Sequence, residues 1–242
     1  MLETRNSRLR LLVALATYNE IETLPSLVEE IHGRLPDAHV LVVDDNSPDG
    51  TGQWCENSAR VHDWFFHFPR PGKLGLGTAL EAALKFGVDR AYSHVITLDA
   101  DWSHPPDALP EMVEAAAGAD VVIGSRYCPG GSITGWPLRR RIASRVMNRV
   151  TRLLVGLPLN DCTGNCRLYS TAQLARLDWE SLEAEGYAYL EEILFALQLQ
   201  GATFAEVPIT FTDRRAGASK INLSEVTGAA KVLMRLALRR LW

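Results

Sequence analysis

Short apolar runs recur along this 242-residue chain, each followed by a stretch with helical spacing, and this alternation restricts the fold more than any other feature. The runs are Leu11 to Ala16, Val40 to Val43, Val95 to Leu98 and Val121 to Ile123, with Trp64 to Phe68 as a further strand. Between the first two, Ile21, Leu24, Leu27, Val28 and Ile31 recur at helical spacing, with Asn19 placed to cap that helix and Gly33 and Pro36 to stop it. Further helices are expected up to about Arg90 and from about Pro106 to Ala117. The pattern predicts an α/β fold with a mostly parallel central sheet flanked by helices. In such sheets ligands bind beyond the carboxyl ends of the strands. The length suits a single domain over 1–242.

Carboxylates gather at those ends. Asp44 and Asp45 close the second strand, and Asp99 and Asp101 close the strand that starts at Val95. Two aspartates aimed at one point repel each other unless a cation sits between them. Oxygen ligands of this kind suit Mg²⁺ or Mn²⁺, ions that commonly also hold substrate phosphates. On these residues alone a second reading stands beside the first: Asp101 caps the helix near Pro105 and Pro106, and Asp99 is a solvated loop residue.

Several classes are disfavoured. A net charge of −4 does not suggest a nucleic-acid binder. A dinucleotide fingerprint should follow the first strand, where Thr17-Tyr-Asn-Glu20 stands instead. Gly72-Lys73 is not a Walker loop, because Leu74 replaces Ser or Thr. Cys55, Cys128, Cys162 and Cys166 form no CxxC pair and no disulfide framework, which points to a reducing compartment without a zinc site. The polar first ten residues lack a signal-peptide core, and no stretch of about 18 apolar residues exists to span a bilayer.

The second half is basic. From Val121 to Asn160 there is no Asp or Glu but there are seven arginines, which points to an anionic ligand or surface. Arg139 to Val155 reads as a helix with Arg141, Arg145, Arg149 and Arg152 on one side and Ile142, Val146, Val150, Leu153 and Leu154 over much of the rest. It is either a packed helix with a solvated basic face or a helix lying in a membrane interface. Leu223 to Trp242 is a second basic amphipathic helix.

In order, the motifs resemble the polyprenol-phosphate mannose synthases (dolichol-phosphate mannosyltransferases) of glycosyltransferase family 2. The matching segments are Ala16-Thr-Tyr-Asn-Glu20, Asp44-Asp-Asn-Ser-Pro-Asp-Gly-Thr51, Arg70-Pro-Gly-Lys-Leu-Gly-Leu-Gly77, Asp99-Ala-Asp-Trp-Ser-His104, Gly124-Ser-Arg-Tyr127, Glu206 to Arg214, and Gly217-Ala-Ser-Lys220. The resemblance implies a GT-A fold and inverting transfer of mannose from GDP-mannose to a polyprenyl or dolichyl monophosphate. It assigns the metal to Asp99 and Asp101, with Ser103 as a third ligand. It assigns the nucleotide sugar to Ala16, Tyr18, Glu20, Asp44, Asp45, Lys73, Arg214 and Lys220. The acceptor phosphate falls to Arg126, Arg140 and Ser144, with Arg126 counted among the catalytic residues beside Asp99 and Asp101. Glu191 and Glu192 stand where family 2 enzymes often carry an acidic residue.

One loop departs from the pattern. The family usually has Asp-x-Thr-Ser/Gly-Gly-Phe-Arg, and this chain has Asp161-Cys-Thr-Gly-Asn-Cys-Arg167. Alternatives therefore stay open: a polyprenyl-phosphate glucosyltransferase using UDP-glucose, a non-catalytic sugar-nucleotide-binding relative, or a soluble transferase with a saccharide or protein acceptor. The expected location is peripheral, on the cytoplasmic face of a membrane, held by the helices at about 140–156 and 223–242 or by a separate membrane-anchoring subunit.

Overall fold

The computed structural model describes residues 9–184, 186–213 and 223–240. Arg214, Lys220 and Trp242 lie outside them. The strands are β1 (Leu11–Thr17), β2 (His39–Asp44), β3 (Phe65–Pro69), β4 (His94–Asp99), β5 (Val121–Ser125), β6 (Ser132–Thr134), β7 (Arg167–Ser170), β8 (Phe204–Pro208) and β9 (Thr210–Thr212). The helices are α1 (Leu24–Arg34), α2 (Thr51–Val61), α3 (Leu76–Asp89), α4 (Leu109–Ala115), α5 (Leu138–Val155), α6 (Thr171–Leu174), α7 (Tyr189–Leu199) and α8 (Leu223–Arg240).

Seven strands form one sheet in the order β3-β2-β1-β4-β7-β5-β8. All neighbours pair in parallel except β7, which runs antiparallel to both β4 and β5. Strands buried on both faces should read as near-continuous apolar runs, and β1, β2 and β4 do between their end residues, apart from Thr97. Their alternate residues divide between two cores. Val13, Leu15, Val40, Val42, Ile96 and Leu98 pack with Leu24, Leu27 and Ile31 of α1 and Met112 of α4. Leu12, Ala14, Leu41, Val43 and Val95 pack with Leu80, Ala83 and Leu84 of α3 and Ile193 and Leu194 of α7.

The register places the site. Thr17 pairs with Asp44, Asp44 with Pro69, and Ala16 with Asp99, so four strands end side by side. Each of β1, β2 and β4 is followed by a residue in the left-handed region: Asn19 (φ 63°), Asn46 (φ 59°) and Trp102 (φ 63°). This corrects the expected cap. Asn19 belongs to the turn, Thr23 occupies the cap position, and α1 starts at Leu24.

The helix after Pro137 exposes apolar as well as basic groups. α5 buries only Asn148, Thr151 and Val155. Leu138, Ile142, Val146, Val150 and Leu153 are 40% to 70% exposed and share the outer surface with the arginines. Its outer face is therefore mixed, apolar and basic together. The helix docks through polar groups because Asn148 does the holding: its amide donates to Ser144 O and Thr163 Oγ1, and its Oδ1 accepts the Cys162 N–H. No helix among the described residues is long and apolar enough to cross a membrane.

Candidate active site

The loops after β1 and β2 are stitched together before they meet any ligand. Asp49 accepts Thr51 N–H and Oγ1 through one oxygen and Ile21 N–H through the other. Ser47 Oγ accepts the Asn19 N–H. Asp44 is 2% exposed, and its carboxylate accepts hydrogen bonds from Thr17 Oγ1 and from both N–H and Oγ of Ser47. Much of the Asp-Asp-Asn-Ser-Pro-Asp-Gly-Thr motif thus builds the turn. Asp44 lies behind the cleft wall, contrary to the nucleotide contact expected of it.

Asp45 faces the cleft. Its Oδ2 accepts Leu74 and Gly75 N–H at 3.0 Å each, and its Oδ1 pairs with Arg70 at 2.9 Å. Those bonds fold the Gly-Lys-Leu-Gly loop so that Lys73 Nζ lies 4.3 Å from the centre of the Tyr18 ring. The resulting cleft, of about 310 Å³, is lined by Ala16, Tyr18, Glu20, Asp45, Lys73, Asp99, Asp101 and Tyr187, among others. Five of the expected nucleotide residues are therefore brought together with Asp99 and Asp101 at the strand ends. Tyr187 was not foreseen; it comes from a turn beside α7 that is far away in sequence and carries no motif.

The Asp99–Ser103 loop has a donor set suited to a hard cation. Asp99 is one-third exposed, whereas Asp101 and Ser103 are buried. Asp101 Oδ1 accepts the Ser103 N–H, which leaves the Ser103 Oγ buried with no hydrogen-bond partner among the described residues. A buried, unpartnered hydroxyl of this kind is normally satisfied by water or an ion. Trp102 holds the loop: its left-handed backbone turns the chain between the two ligands, and its indole N–H donates to Thr23 O and Ser26 Oγ. His104 is fully buried. Burial pushes its imidazole below the ordinary value against the pull of Asp99 and Asp101, and its Nδ1 accepts the Asp99 N–H.

A second cleft, of about 380 Å³, opens between the β5–β6 connection and α5. Arg126, Tyr127, Ile133, Leu138, Arg141, Ile142 and Arg145 line it. Arg126 is buried and bidentate to Asp161, with both N···O distances 2.7 Å, and it also donates to Thr163 Oγ1. Burial alone would raise Asp161, but the Arg126 guanidinium outweighs it and holds the carboxyl below the usual range. Arg140 pairs with Asp213 and stacks on Trp136 at 3.9 Å, and Ser144 accepts the Tyr127 hydroxyl. The three acceptor-phosphate residues expected from sequence thus share a neighbourhood, each already engaged. The ring centre of Phe211 of β9 lies 5.3 Å from that of His104 and 5.5 Å from Arg126 Cζ.

The altered loop keeps its frame. Arg167 is fully buried and donates to Gly164, Cys162 and Leu190 carbonyls. Cys166 fills the space over Gly124, 3.6 Å from Met112 Sδ. Asn165 donates its amide to Asp99 Oδ1 at 3.0 Å. Glu191 and Glu192 line neither cleft. Burial pushes Glu191 up to about 7 against the pull of Arg167. Glu192 accepts the Glu183 and Ala184 N–H groups and pairs with Arg235 of α8.

Comparison with known proteins agrees with this geometry. Residues 12–177 match the family model described as Glycosyl transferase family 2. The chain is 41% identical over 226 residues to a polyprenol monophosphomannose synthase of Mycolicibacterium smegmatis, covering 91% of this chain and 84% of that protein. It is 38% identical over 234 residues to an undecaprenyl-phosphate mannosyltransferase of Micrococcus luteus, covering 97% and 96%. Among solved structures, the fold is similar to glucosyl-3-phosphoglycerate synthase from Mycobacterium tuberculosis, in complex with Mn²⁺, UDP and phosphoglyceric acid. The TM-score is 0.67 at 18% identity, over 96% of this chain and 78% of that one.

Proposed function

Because the chain belongs to glycosyltransferase family 2 and has its GT-A fold, we propose that it transfers mannose from GDP-mannose to a polyprenyl monophosphate, with inversion. The observation that carries this reading is a pair of unlike clefts, one rimmed by carboxylates at strand ends and the other by arginines and exposed aliphatic groups, with Arg126 of the second near enough to Asp99 of the first to feel its charge.

The donor cleft would take the nucleotide sugar between Tyr18, Glu20, Asp45 and Lys73. Asp99, Asp101 and Ser103 Oγ would hold a Mg²⁺ or Mn²⁺ ion, which offsets the charge that develops on the departing diphosphate. The acceptor is already a nucleophile. A phosphate monoester has a second pKa of about 6 and is mostly dianionic at neutral pH. No strong base is needed, in keeping with the absence of Glu191 and Glu192 from either cleft. The harder task is to hold two anions together. Arg126, fixed by Asp161, supplies a rigid donor, and Arg140 would exchange Asp213 for the lipid phosphate.

The test is label transfer into an organic phase. Protein, Mn²⁺ and a short polyprenyl phosphate are offered radiolabelled GDP-mannose or UDP-glucose in parallel. Label from GDP-mannose alone is expected. Label from UDP-glucose alone would make the enzyme a glucosyltransferase, and no label from either, with an active relative as control, would overturn the catalytic reading.

The acceptor's lipid tail requires the enzyme to meet a membrane, and the outer face of α5 suits it, with exposed Leu138, Ile142 and Val146 among arginines. The double substitution Ile142→Glu and Val146→Glu is expected to reduce co-sedimentation with phosphatidylglycerol vesicles about tenfold or more. Unchanged partition would exclude α5 as the contact. The helix at 223–240 and a separate membrane subunit would then remain as routes to the bilayer.

A further inference from the structure

The amide of Asn165 lies where the family usually has glycine, and it is 3% exposed. Its Nδ2 donates to Asp99 Oδ1 at 3.0 Å, and its own backbone carbonyl is pinned by Thr97 Oγ1 at 2.9 Å. His104 is the other polar side chain beside Asp99, but it cannot replace that bond. Its Nδ1 already accepts the Asp99 N–H, and it lies 3.7 Å from Asp99 Oδ2, beyond hydrogen-bond reach. The two candidate ligands are therefore held alike. Ser103 N–H occupies Oδ1 of Asp101, and Asn165 occupies Oδ1 of Asp99. On Asp99, no hydrogen bond among the described residues reaches the second oxygen, Oδ2.

We propose that Asn165 is a positioning residue: its buried amide fixes the Asp99 carboxylate so that Oδ2 is the oxygen offered to the metal. The inference rests on the metal reading above. A hydrogen-bond donor behind a ligating carboxylate sets its orientation, and loss of such a partner typically weakens metal binding about 10- to 100-fold. Where glycine stands instead, a water molecule can enter and donate the same bond at little cost.

That contrast gives the test. Mn²⁺ binding is followed by the electron paramagnetic resonance signal of the free ion, with GDP present and neither sugar nor acceptor, so no turnover occurs. Asn165→Leu, which removes the donor and keeps water out, is expected to weaken Mn²⁺ binding about tenfold. Asn165→Gly, which admits water, should stay within about threefold of the parent. A packing role predicts the opposite order, since the glycine variant leaves a cavity and leucine does not. Asn165→Val carries the same expectation as leucine should that variant fail to fold. Equal Mn²⁺ affinity in all variants, or a glycine variant weaker than the leucine one, would overturn the proposal. A parent protein that binds no Mn²⁺ would remove both the metal reading and this inference. GDP affinity without metal should not change, which separates a lost cation ligand from a lost nucleotide site.

Discussion

Replacing Asp101 by alanine is expected to lower turnover roughly a thousandfold, the upper part of the range seen when one stabilising group is removed from a developing anion. The Asp101 carboxylate is buried, and its Oδ1 is committed to the Ser103 N–H. Alanine therefore removes both a charge and a turn-forming acceptor. Asp101→Asn separates the two, because an amide oxygen can still accept that N–H but carries no charge for a cation. Asparagine should be nearly as inactive as alanine in label transfer, while its melting temperature stays within a few degrees of the parent. An asparagine variant with more than about a tenth of parental turnover would show that the charge is not what the reaction needs.

The largest effect on stability is expected from Asp161→Ala. Asp161 is completely buried and holds Arg126 through two charge-assisted bonds, and its oxygens also accept backbone N–H groups of Arg126 and Gly164. Removing one partner of a buried pair leaves the other charge unpaired, at a cost of about 3–5 kcal/mol. In a domain of this size each kcal/mol shifts the melting temperature by roughly 2–4 °C, so a fall of about 10 °C is expected by thermal denaturation. The double variant Asp161→Ala with Arg126→Met should recover much of it, because no buried charge remains. The folded-state pKa of Asp161 is depressed, so the pair's contribution is complete above the unfolded carboxylate range and is lost as the pH falls through the folded value. The alanine variant should lack that part of the acid sensitivity. A fall of less than about 1 kcal/mol would mean that the pair does not hold the loop.

Much of the fold was legible because strand and helix periods are local. The apolar runs at Leu11, Val40, Val95 and Val121 are strands, and the carboxyl ends of those at Val40 and Val95 carry the paired aspartates. The sheet order was not legible. β7 is a four-residue strand after a turn-rich loop, and nothing in Arg-Leu-Tyr-Ser says that it inserts antiparallel between β4 and β5. The same limit applies to side chains whose roles depend on distant partners. Asp44 and Asp45 are neighbours of one residue type, yet one is taken up by Thr17 and Ser47 and the other by the loop at Leu74. Asn148 gave no signal, because a lone polar residue in a basic helix reads as solvated. Asn165 was visible only as a departure from the family pattern, and its bond to Asp99 needs the contact between β4 and β7 to be known.

The reversed direction of β7 has a consequence for how such enzymes can diversify. β5 leaves the sheet at the site end, and β7 re-enters at that same end, so residues 126–166 form the tip of one very long hairpin. They include Arg126, β6, α5, Asp161 and Asn165. This cassette can lengthen, shorten or be exchanged without a crossover beneath the sheet, because both its ends are anchored in adjacent strands. The first hundred residues carry the donor cleft apart from Tyr187 and Asp101, so exchange would reach it chiefly through the Asn165 bond to Asp99. Recognition of a new acceptor can therefore be gained by replacing one contiguous segment, which makes this hairpin tip the natural unit for grafting between relatives.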